Sequence, residues 1–211
     1  MTDAAGPLVV VVDYGAGNLV SIDQALRAAG ARVRLATSGD EIDGADLLVV
    51  PGVGAAAPAM ERLRAGGFVG PIRRWIEADR PFLGICLGLQ LLFEGSDEDG
   101  AATLGVLPGR TVRLDDAPTL PHIGWNQVVR RRPHPAFDGI ARDADFYFVH
   151  SYVGRPAPAA DTDVLADTEH GAPFVSAVAR GNLLGVQFHP ERSGSDGLRL
   201  IANVVVLASA A

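Results

Sequence analysis

The chain contains a single cysteine, Cys86, which lies between Gly84 and Gly88. The apolar residues before it predict a short buried strand, and the leucines after it predict a helix packed into the core. A strand-to-helix turn of this kind pushes a reactive side chain outward, and its glycines let neighbouring backbone pass close. The free N–H groups of the helix favour a thiolate. The pattern therefore fits either a cysteine nucleophile or a buried structural cysteine.

A second pair of reactive side chains lies near the C-terminus, at His189 and Glu191. Pro190 separates them on a segment that we predict to be extended, so both side chains point to the same side. Glu191 can then orient the imidazole, while His189 takes a proton from a thiol and later delivers one to a leaving amine. A core histidine beside a surface glutamate is the alternative. Combined with Cys86, the pair favours a Cys-His-Glu triad.

Acyl transfer through a thioester also requires N–H donors that stabilise an oxyanion. The residue after the nucleophile, Leu87, supplies one backbone N–H. The second can come from the loop at 51–54, through Val53 or Gly54, because this loop follows a predicted strand at Leu47–Val50. Ligands bind at that edge of parallel sheets. An ordinary turn between a strand and a helix is the alternative.

The elements that must position these residues alternate between strands and helices in the first half of the chain. Continuous apolar runs predict buried strands, and the alternating Arg32–Ala36 predicts a strand near a sheet edge. Asn18 is predicted to cap the first helix. The predicted strands are Leu8–Val12, Arg32–Ala36, Leu47–Val50, 111–114, 126–130, 146–149, 164–166 and a hairpin of 174–180 with 183–188; later helices are 57–65, 71–78 and Gly194–Ala208.

This order predicts an α/β fold with an open mixed, mostly parallel sheet and helices on both faces, of the flavodoxin-like type. The sequence shows no internal repeat, and the proline-rich stretch 155–163 is interpreted as a surface loop rather than a linker. We therefore expect residues 1–211 to form a single domain.

The composition excludes several classes of function. The net charge is −7, which argues against nucleic acid or an anionic membrane as a partner. One cysteine permits no internal disulfide, and the N-terminus lacks a signal peptide, so we expect a cytoplasmic protein. No window reaches the roughly 20 apolar residues that span a bilayer. All 18 basic residues are arginines, which excludes a lysine Schiff base and a Walker-type phosphate loop.

The sequence also predicts no cofactor and no metal. The glycine-rich stretch 15–20 lacks the third small residue of a dinucleotide-binding fingerprint. The histidines other than His189 show no spacing with cysteine or carboxylates that is typical of metal ligands.

The residues around Cys86 and His189, GICLGLQ and FHPE, resemble the motifs of the class I (triad) glutamine amidotransferases. Within that family, five further stretches resemble the glutaminase subunits of imidazole glycerol phosphate synthases, of histidine biosynthesis. These stretches are 13–19, 51–54, 121–126, 148–152 and 187–194, so the resemblance covers essentially the whole chain. One departure is Ile123, where these proteins often have Met; both are apolar.

The resemblance implies that glutamine is hydrolysed through a thioester on Cys86, giving glutamate and ammonia. The ammonia would pass to a separate cyclase subunit, a (βα)8 barrel, in a heterodimer. It also implies that glutamine is held by two side chains and four backbone positions. These residues are Gln90 and Glu94, the latter two helical turns after Cys86, with Gly54 and the strand His150, Ser151 and Tyr152.

Trp125 and Asn126 are our candidates for the interface with this cyclase subunit, because tryptophan is enriched in interfaces. Asn18, in the glycine-containing loop 13–19, is expected at the same interface. A tryptophan in the core or on an edge strand is the alternative.

Three other functions remain open from the sequence. The chain could be a glutaminase that feeds another synthase, such as one for pyridoxal phosphate or anthranilate, against which the stretches 13–19 and 121–126 speak. It could be a stand-alone cysteine hydrolase, against which Gln90 and Glu94 speak. As a non-enzymatic binding module, it would leave Cys86, His189 and Glu191 as coincidence.

Overall fold

The computed structural model describes residues 6–210. Its strands are β1 (Leu8–Val12), β2 (Arg32–Ala36), β3 (Leu47–Val50), β4 (Phe82–Ile85), β5 (Gly95–Ser96), β6 (Gly109–Arg113), β7 (His122–Gln127), β8 (Val129–Arg130), β9 (Asp145–His150), β10 (Tyr152–Pro156), β11 (Val164–His170), β12 (Ala172–Arg180) and β13 (Leu183–Val186). The α-helices are α1 (Leu19–Ala28), α2 (Ala56–Ala65), α3 (Val69–Glu77), α4 (Leu87–Gln90) and α5 (Gly194–Ala208).

The main sheet has eight strands in the order β2-β1-β3-β4-β13-β12-β11-β8. The first five strands are parallel, and β12, β11 and β8 continue the sheet in antiparallel pairs. Two small sheets, β10-β6-β5 and β7-β9, lie outside it. The mixed, mostly parallel sheet that the sequence predicts is therefore confirmed, and β2 lies at its edge.

Helices cover both faces of the sheet. Side chains alternate along β1, so that Val9 and Val11 contact one core and Val10 and Val12 the other. The first core includes the buried sides of α1 and α5, and the second includes those of α2 and α3. The predicted arrangement of helices on both faces is confirmed.

Most element boundaries agree with the sequence analysis to within a few residues. The bounds of β1, β2, β3 and α5 are as predicted, and Asn18 caps α1 by accepting a hydrogen bond from the Ser21 N–H. Residues 1–5 and 211, which the single-domain prediction includes, lie outside the described residues.

Three predictions of local structure were wrong. The helix after Cys86 ends at Gln90, because the chain then turns and the 91–93 carbonyls accept hydrogen bonds from residues 103–107. The predicted strand 126–130 is two strands, since β7 pairs with β9 whereas β8 joins the main sheet. The loop predicted at 155–163 instead contains the end of β10 and a 3₁₀ helix at Pro158–Asp163.

The topology brings three loops to one edge of the sheet. Strands β3, β4 and β13 are parallel neighbours, so their carboxyl ends lie together. The loop 51–54 follows β3, Cys86 follows β4, and the segment 187–191 follows β13. Among the described residues, no helix combines the length and apolar character needed to cross a membrane.

Candidate active site

Cys86 lies at a strained turn between β4 and α4. Its φ is +53° and its ψ is −106°, a conformation that residues other than glycine rarely adopt. The Cys86 N–H donates to the Val186 carbonyl at 2.7 Å, which ties the turn to β13. Gly88 lies so close to β3 that an added Cβ would be 1.8 Å from the Val50 carbonyl oxygen. The glycine is therefore required for the helix to pass beside the neighbouring strand.

His189 and Glu191 form a buried pair beside this turn. The His189 Nδ1 is 2.8 Å from the Glu191 Oε1. Within the described residues, His189 Nε2 and Glu191 Oε2 are buried without a hydrogen-bond partner. Burial by itself lowers the pKa of His189, but its polar interactions with Cys86 and Glu191 outweigh burial and raise the pKa to about 10. The imidazole is therefore protonated at neutral pH.

The backbone fixes His189 from both sides. Its N–H donates to the Tyr147 carbonyl at 2.9 Å, and its carbonyl accepts a hydrogen bond from the Ser193 hydroxyl at 2.6 Å. We predicted from the sequence that the segment between His189 and Glu191 is extended. This prediction was wrong, because Pro190–Arg192 forms a 3₁₀ turn. This turn brings the two side chains together, and not the alternation of side chains along a strand.

A cavity of about 280 Å³ opens next to Cys86. The Gln90 Nε2 reaches across it and donates to the Tyr152 carbonyl at 2.8 Å. The lining includes eight of the residues that the sequence analysis names: Val53, Gly54, Cys86, Leu87, Gln90, His150, Ser151 and Tyr152. The carboxyl ends of β3 and β4 and the chain between β9 and β10 thus enclose one small site.

Glu94 is not part of this cavity, and the prediction that it holds a ligand there was wrong. Because α4 ends at Gln90, Glu94 is exposed, and its carboxylate accepts a hydrogen bond from the Gly109 N–H at 3.0 Å. The carboxylate that lines the cavity is Glu98. Burial raises the pKa of Glu98, and the charge of Asp99 adds to the rise. The acidic run 97–99 is the only sequence signal for it.

The two predicted oxyanion donors are close together but are not arranged to bind an oxyanion. The Leu87 N–H points at the Gly52 carbonyl, at 3.4 Å. In a trans peptide the N–H points opposite to the carbonyl, so the Val53 N–H is directed away from Leu87. Gly54 has φ +88°, which favours glycine at the end of this loop.

Comparisons with known proteins decide the family. The model of the family described as glutamine amidotransferase class-I matches residues 10–208. This chain belongs to the class I glutamine amidotransferases. The imidazole glycerol phosphate synthase subunit HisH of Dehalococcoides mccartyi is 43% identical and is aligned over 95% of this chain and 98% of the relative. The HisH subunit of Synechococcus elongatus is 45% identical and is aligned over 99% of this chain and 97% of the relative. The chain therefore belongs, within the class I family, to the HisH subunits.

Solved structures agree on the fold. A crystal structure of a glutamine amidotransferase has a TM-score of 0.74 and 22% identity, and covers 95% of this chain and 98% of its own. The structure of PurLQS from Thermotoga maritima has the same TM-score at 18% identity, and the match covers 96% of this chain and 99% of the PurLQS chain. At these identities the likeness shows the class I amidotransferase fold alone.

Trp125 and Asn126 occupy opposite faces of β7 in this amidotransferase. Trp125 is 57% exposed, and its neighbour Ile123 is 60% exposed on the same face. Asn126 is half-buried on the face of β7 that carries His122, and its amide donates to the Glu169 carbonyl; its place in the interface stays a prediction. Asn18 is exposed, although its amide is hydrogen bonded to Ser21 as the cap of α1.

Asn126 also begins a chain of hydrogen bonds that ends at the cavity. Its Nδ2 is 3.2 Å from His122 Nε2, His122 Nδ1 is 3.0 Å from His150 Nε2, and His150 Nδ1 is 3.1 Å from the Tyr152 carbonyl. The carbonyl can only accept, so His150 carries its proton on Nδ1 and accepts at Nε2 from His122. Burial lowers the pKa of His122 to about 4 and that of His150 to about 3, so both are neutral at pH 7.

Within residues 6–210, no group of three or more His, Cys, Asp or Glu side chains is arranged to hold a metal ion.

The neutral histidine pair predicts a loss of stability at mildly acidic pH. Both pKa values are lower in the folded chain than in the unfolded chain, where histidine titrates near 6.5. The unfolded state therefore binds more protons below pH 6.5, and stability falls as pH decreases towards the folded pKa values. We expect the free energy of unfolding to fall by about 1–2 kcal/mol per histidine between pH 7 and pH 5.

Urea unfolding at the two pH values measures this loss. The variant His122→Gln should lose roughly half of the pH dependence, because one of the two buried groups is gone. Equal stability of the unmodified chain at pH 7 and pH 5 would contradict the assignment of neutral histidines.

Proposed function

We propose that this chain hydrolyses glutamine through a thioester on Cys86 and delivers the ammonia to the cyclase subunit of an imidazole glycerol phosphate synthase, in histidine biosynthesis. The observation that carries the proposal is the interaction of Cys86, at positive φ, with the buried His189–Glu191 pair beside a small cavity. Membership of the HisH subunits supports this function over the other synthases and over a stand-alone hydrolase. No cofactor is needed for this chemistry.

The triad divides the reaction into two acyl transfers. The Cys86 thiolate attacks the side-chain carbonyl carbon of glutamine, and protonated His189 donates its proton to the departing ammonia. The neutral imidazole then removes a proton from water, which attacks the thioester, and glutamate leaves as Cys86 is regenerated. Glu191 holds the Nδ1 proton of His189 and stabilises the imidazolium.

The oxyanion hole requires one rearrangement of the loop 51–54. We assign the two donors to the N–H groups of Leu87 and Val53. Rotation of the peptide between Gly52 and Val53 would release the Leu87 N–H from the Gly52 carbonyl and turn the Val53 N–H inward. The flanking Gly54, at φ +88°, gives the loop the freedom to make this change. The resting arrangement is then a glutaminase of low activity, which the partner subunit raises by favouring the rotated peptide.

Glutamine is held at both of its ends. We assign its α-ammonium group to Glu98, whose carboxylate is in the cavity and whose raised pKa an adjacent cation would offset. Gln90 and the backbone of Gly54, Ser151 and Tyr152 supply polar contacts along the rest of the molecule. His150 fixes the Tyr152 carbonyl.

The partner is a cyclase subunit, which we propose to be a (βα)8 barrel in a heterodimer with this chain. Trp125 and Ile123 offer an exposed apolar face at the active-site edge, and Asn18 with Val20 (68% exposed) extends it across the start of α1. The Gly17 backbone lies against Pro51, where an added Cβ would be 3.6 Å from the proline ring. A partner on this face would therefore press on the loop that carries the oxyanion donor.

Two further proposals concern the whole chain. The family model spans residues 10–208, which supports a single amidotransferase domain over residues 1–211. A nucleophilic thiol must stay reduced, so we propose a cytoplasmic location.

Replacing the nucleophile tests the function directly. We expect Cys86→Ala to reduce glutamate release, measured with the cyclase subunit present, by about 1000-fold or more, because the thioester cannot form. The circular dichroism spectrum should not change. Activity within 10-fold of the unmodified chain would refute the assignment of Cys86.

Glu98 and Glu94 provide a matched pair for the substrate site. Removing the charge in Glu98→Gln should raise the KM for glutamine about 10- to 100-fold with a smaller change in kcat, because a hydrogen-bonded charge pair is lost. Glu94→Gln serves as the control, since its amide oxygen still accepts from the Gly109 N–H outside the cavity. A larger KM effect at Glu94 would exclude the role given to Glu98.

A substitution at Trp125 tests the interface with the cyclase subunit. Trp125→Ala should weaken binding of the cyclase subunit about 10- to 100-fold, as expected of a central aromatic anchor, with little change in melting temperature. Val206→Ala is the control, because Val206 is also exposed (66%) but lies twelve residues along α5 from the edge at Gly194. A lower melting temperature with unchanged affinity would place Trp125 among the structural residues instead.

A further inference from the structure

Gln187 is a buried polar residue that the mechanism above does not use. It directly follows β13, two residues before His189, and its exposed fraction is 0%. Its amide nitrogen is 3.6 Å from the Cys86 sulfur, and its amide oxygen is 3.1 Å from the Gln90 Nε2. One side chain therefore contacts both the nucleophile and a residue of the glutamine cavity.

The surrounding hydrogen bonds fix the orientation of both amides. The Tyr152 carbonyl can only accept, so the Gln90 nitrogen must face it, at 2.8 Å. The same nitrogen then faces Gln187, which must present its oxygen to it. The Gln187 nitrogen is left pointing at the sulfur, where it is a donor. Both amide orientations follow from the Tyr152 carbonyl, which can only accept a hydrogen bond. They therefore do not depend on how the oxygen and nitrogen of either amide are assigned in isolation.

We propose that Gln187 is a positioning residue that stabilises the Cys86 thiolate and couples its place to that of Gln90. A thiolate is a better hydrogen-bond acceptor than a thiol, so a fixed N–H donor favours the ionised sulfur. The same donor holds the sulfur on the His189 side of the turn, while the oxygen of Gln187 keeps Gln90 across the cavity. The interpretation deepens the proposed function and rests on it for the role of Gln90.

The backbone gives Gln187 little freedom to move away. Its N–H donates to the Ser176 carbonyl at 2.9 Å on the neighbouring strand β12, and the preceding residue, Val186, accepts the Cys86 N–H. Gln187 and Cys86 are thus joined by backbone as well as by side chain. A long side chain of this kind loses considerable conformational entropy when it is buried, which its hydrogen bonds must offset.

The test is the pH profile of Cys86 alkylation by iodoacetamide, measured on the full chain with and without the cyclase subunit. Cys86 is the only cysteine of this chain, so modification of this chain, resolved by its mass, reports on Cys86 alone. We expect Gln187→Met, which keeps the length but removes both hydrogen bonds, to raise the midpoint of the profile by about 0.5–1 pH unit. Alkylation at pH 6.5 should slow by about 3- to 10-fold.

Ser176→Ala is the matched control. Ser176 is buried on the strand that pairs with Gln187, and its hydroxyl has no hydrogen-bond partner among the described residues, so its loss should leave the midpoint unchanged. If Gln187→Met does not fold, Gln187→Glu preserves the shape and replaces the donor with an acceptor, which should raise the midpoint further.

An unchanged midpoint in whichever variant folds would overturn the proposal, as would an equal shift in Ser176→Ala. In the glutaminase assay we expect Gln187→Met to lower kcat and to raise KM, since both contacts are lost. The alkylation measurement does not use glutamine. A chain that shows the shift but has no glutaminase activity would therefore refute the proposed function and leave the role of Gln187 at the thiolate intact.

Discussion

The positive φ of Cys86 is the constraint on which the rest of the site depends. A residue with a Cβ is held in this conformation only because its surroundings leave no alternative. The N–H is tied to Val186 on one side, and α4 passes so close to β3 that only a glycine fits at position 88. The parallel strands on either side of β4 thus act together on one turn, and the cysteine is raised between them beside the cavity.

The site places its histidines in two different electrostatic environments within a short distance. His189 is buried next to a carboxylate and the nucleophile, and its pKa rises. His122 and His150 are buried against aromatic rings and each other, and their pKa values fall. Burial penalises the charge in both environments, and only at His189 do neighbouring groups, Cys86 and Glu191, outweigh that penalty. The result is one protonated histidine for proton transfer and two neutral ones that fix the Tyr152 carbonyl.

The exposed face and the active site share structural elements. Strand β7 presents Trp125 and Ile123 outward, whereas its inward residues Asn126 and His122 begin the hydrogen-bonded chain to the cavity. The alternation of a strand is enough to put a docking face and an internal network on one six-residue segment. The loop that carries Val53 lies at the same edge, so docking and oxyanion formation can influence each other without a long path.

Much of this arrangement was predictable from residue types and local spacing. The buried strands, the glycine-flanked cysteine and the parallel order followed from short apolar runs and turn residues, because these depend on nearest neighbours in the chain. The same local information placed Leu87 next to the nucleophile, whereas Gln90 was identified by the resemblance to the amidotransferase family. The turn at Cys86 alone left it between a nucleophile and a structural cysteine, His189 and Glu191 favoured the nucleophile, and the family motifs supplied the substrate and the reaction.

Other features depended on contacts between distant residues, and only the tertiary structure decided them. Helix α4 ends early because residues 103–107 hydrogen bond to the chain after Gln90. As a result, Glu98 lines the cavity and Glu94 does not. Pairing with β9 turned Asn126 inward. The occupation of the Leu87 N–H by the Gly52 carbonyl and the bridge of Gln187 from Cys86 to Gln90 join residues about 35 to 100 positions apart. The sequence by itself determined the reactive groups, whereas packing determined which polar atoms face one another.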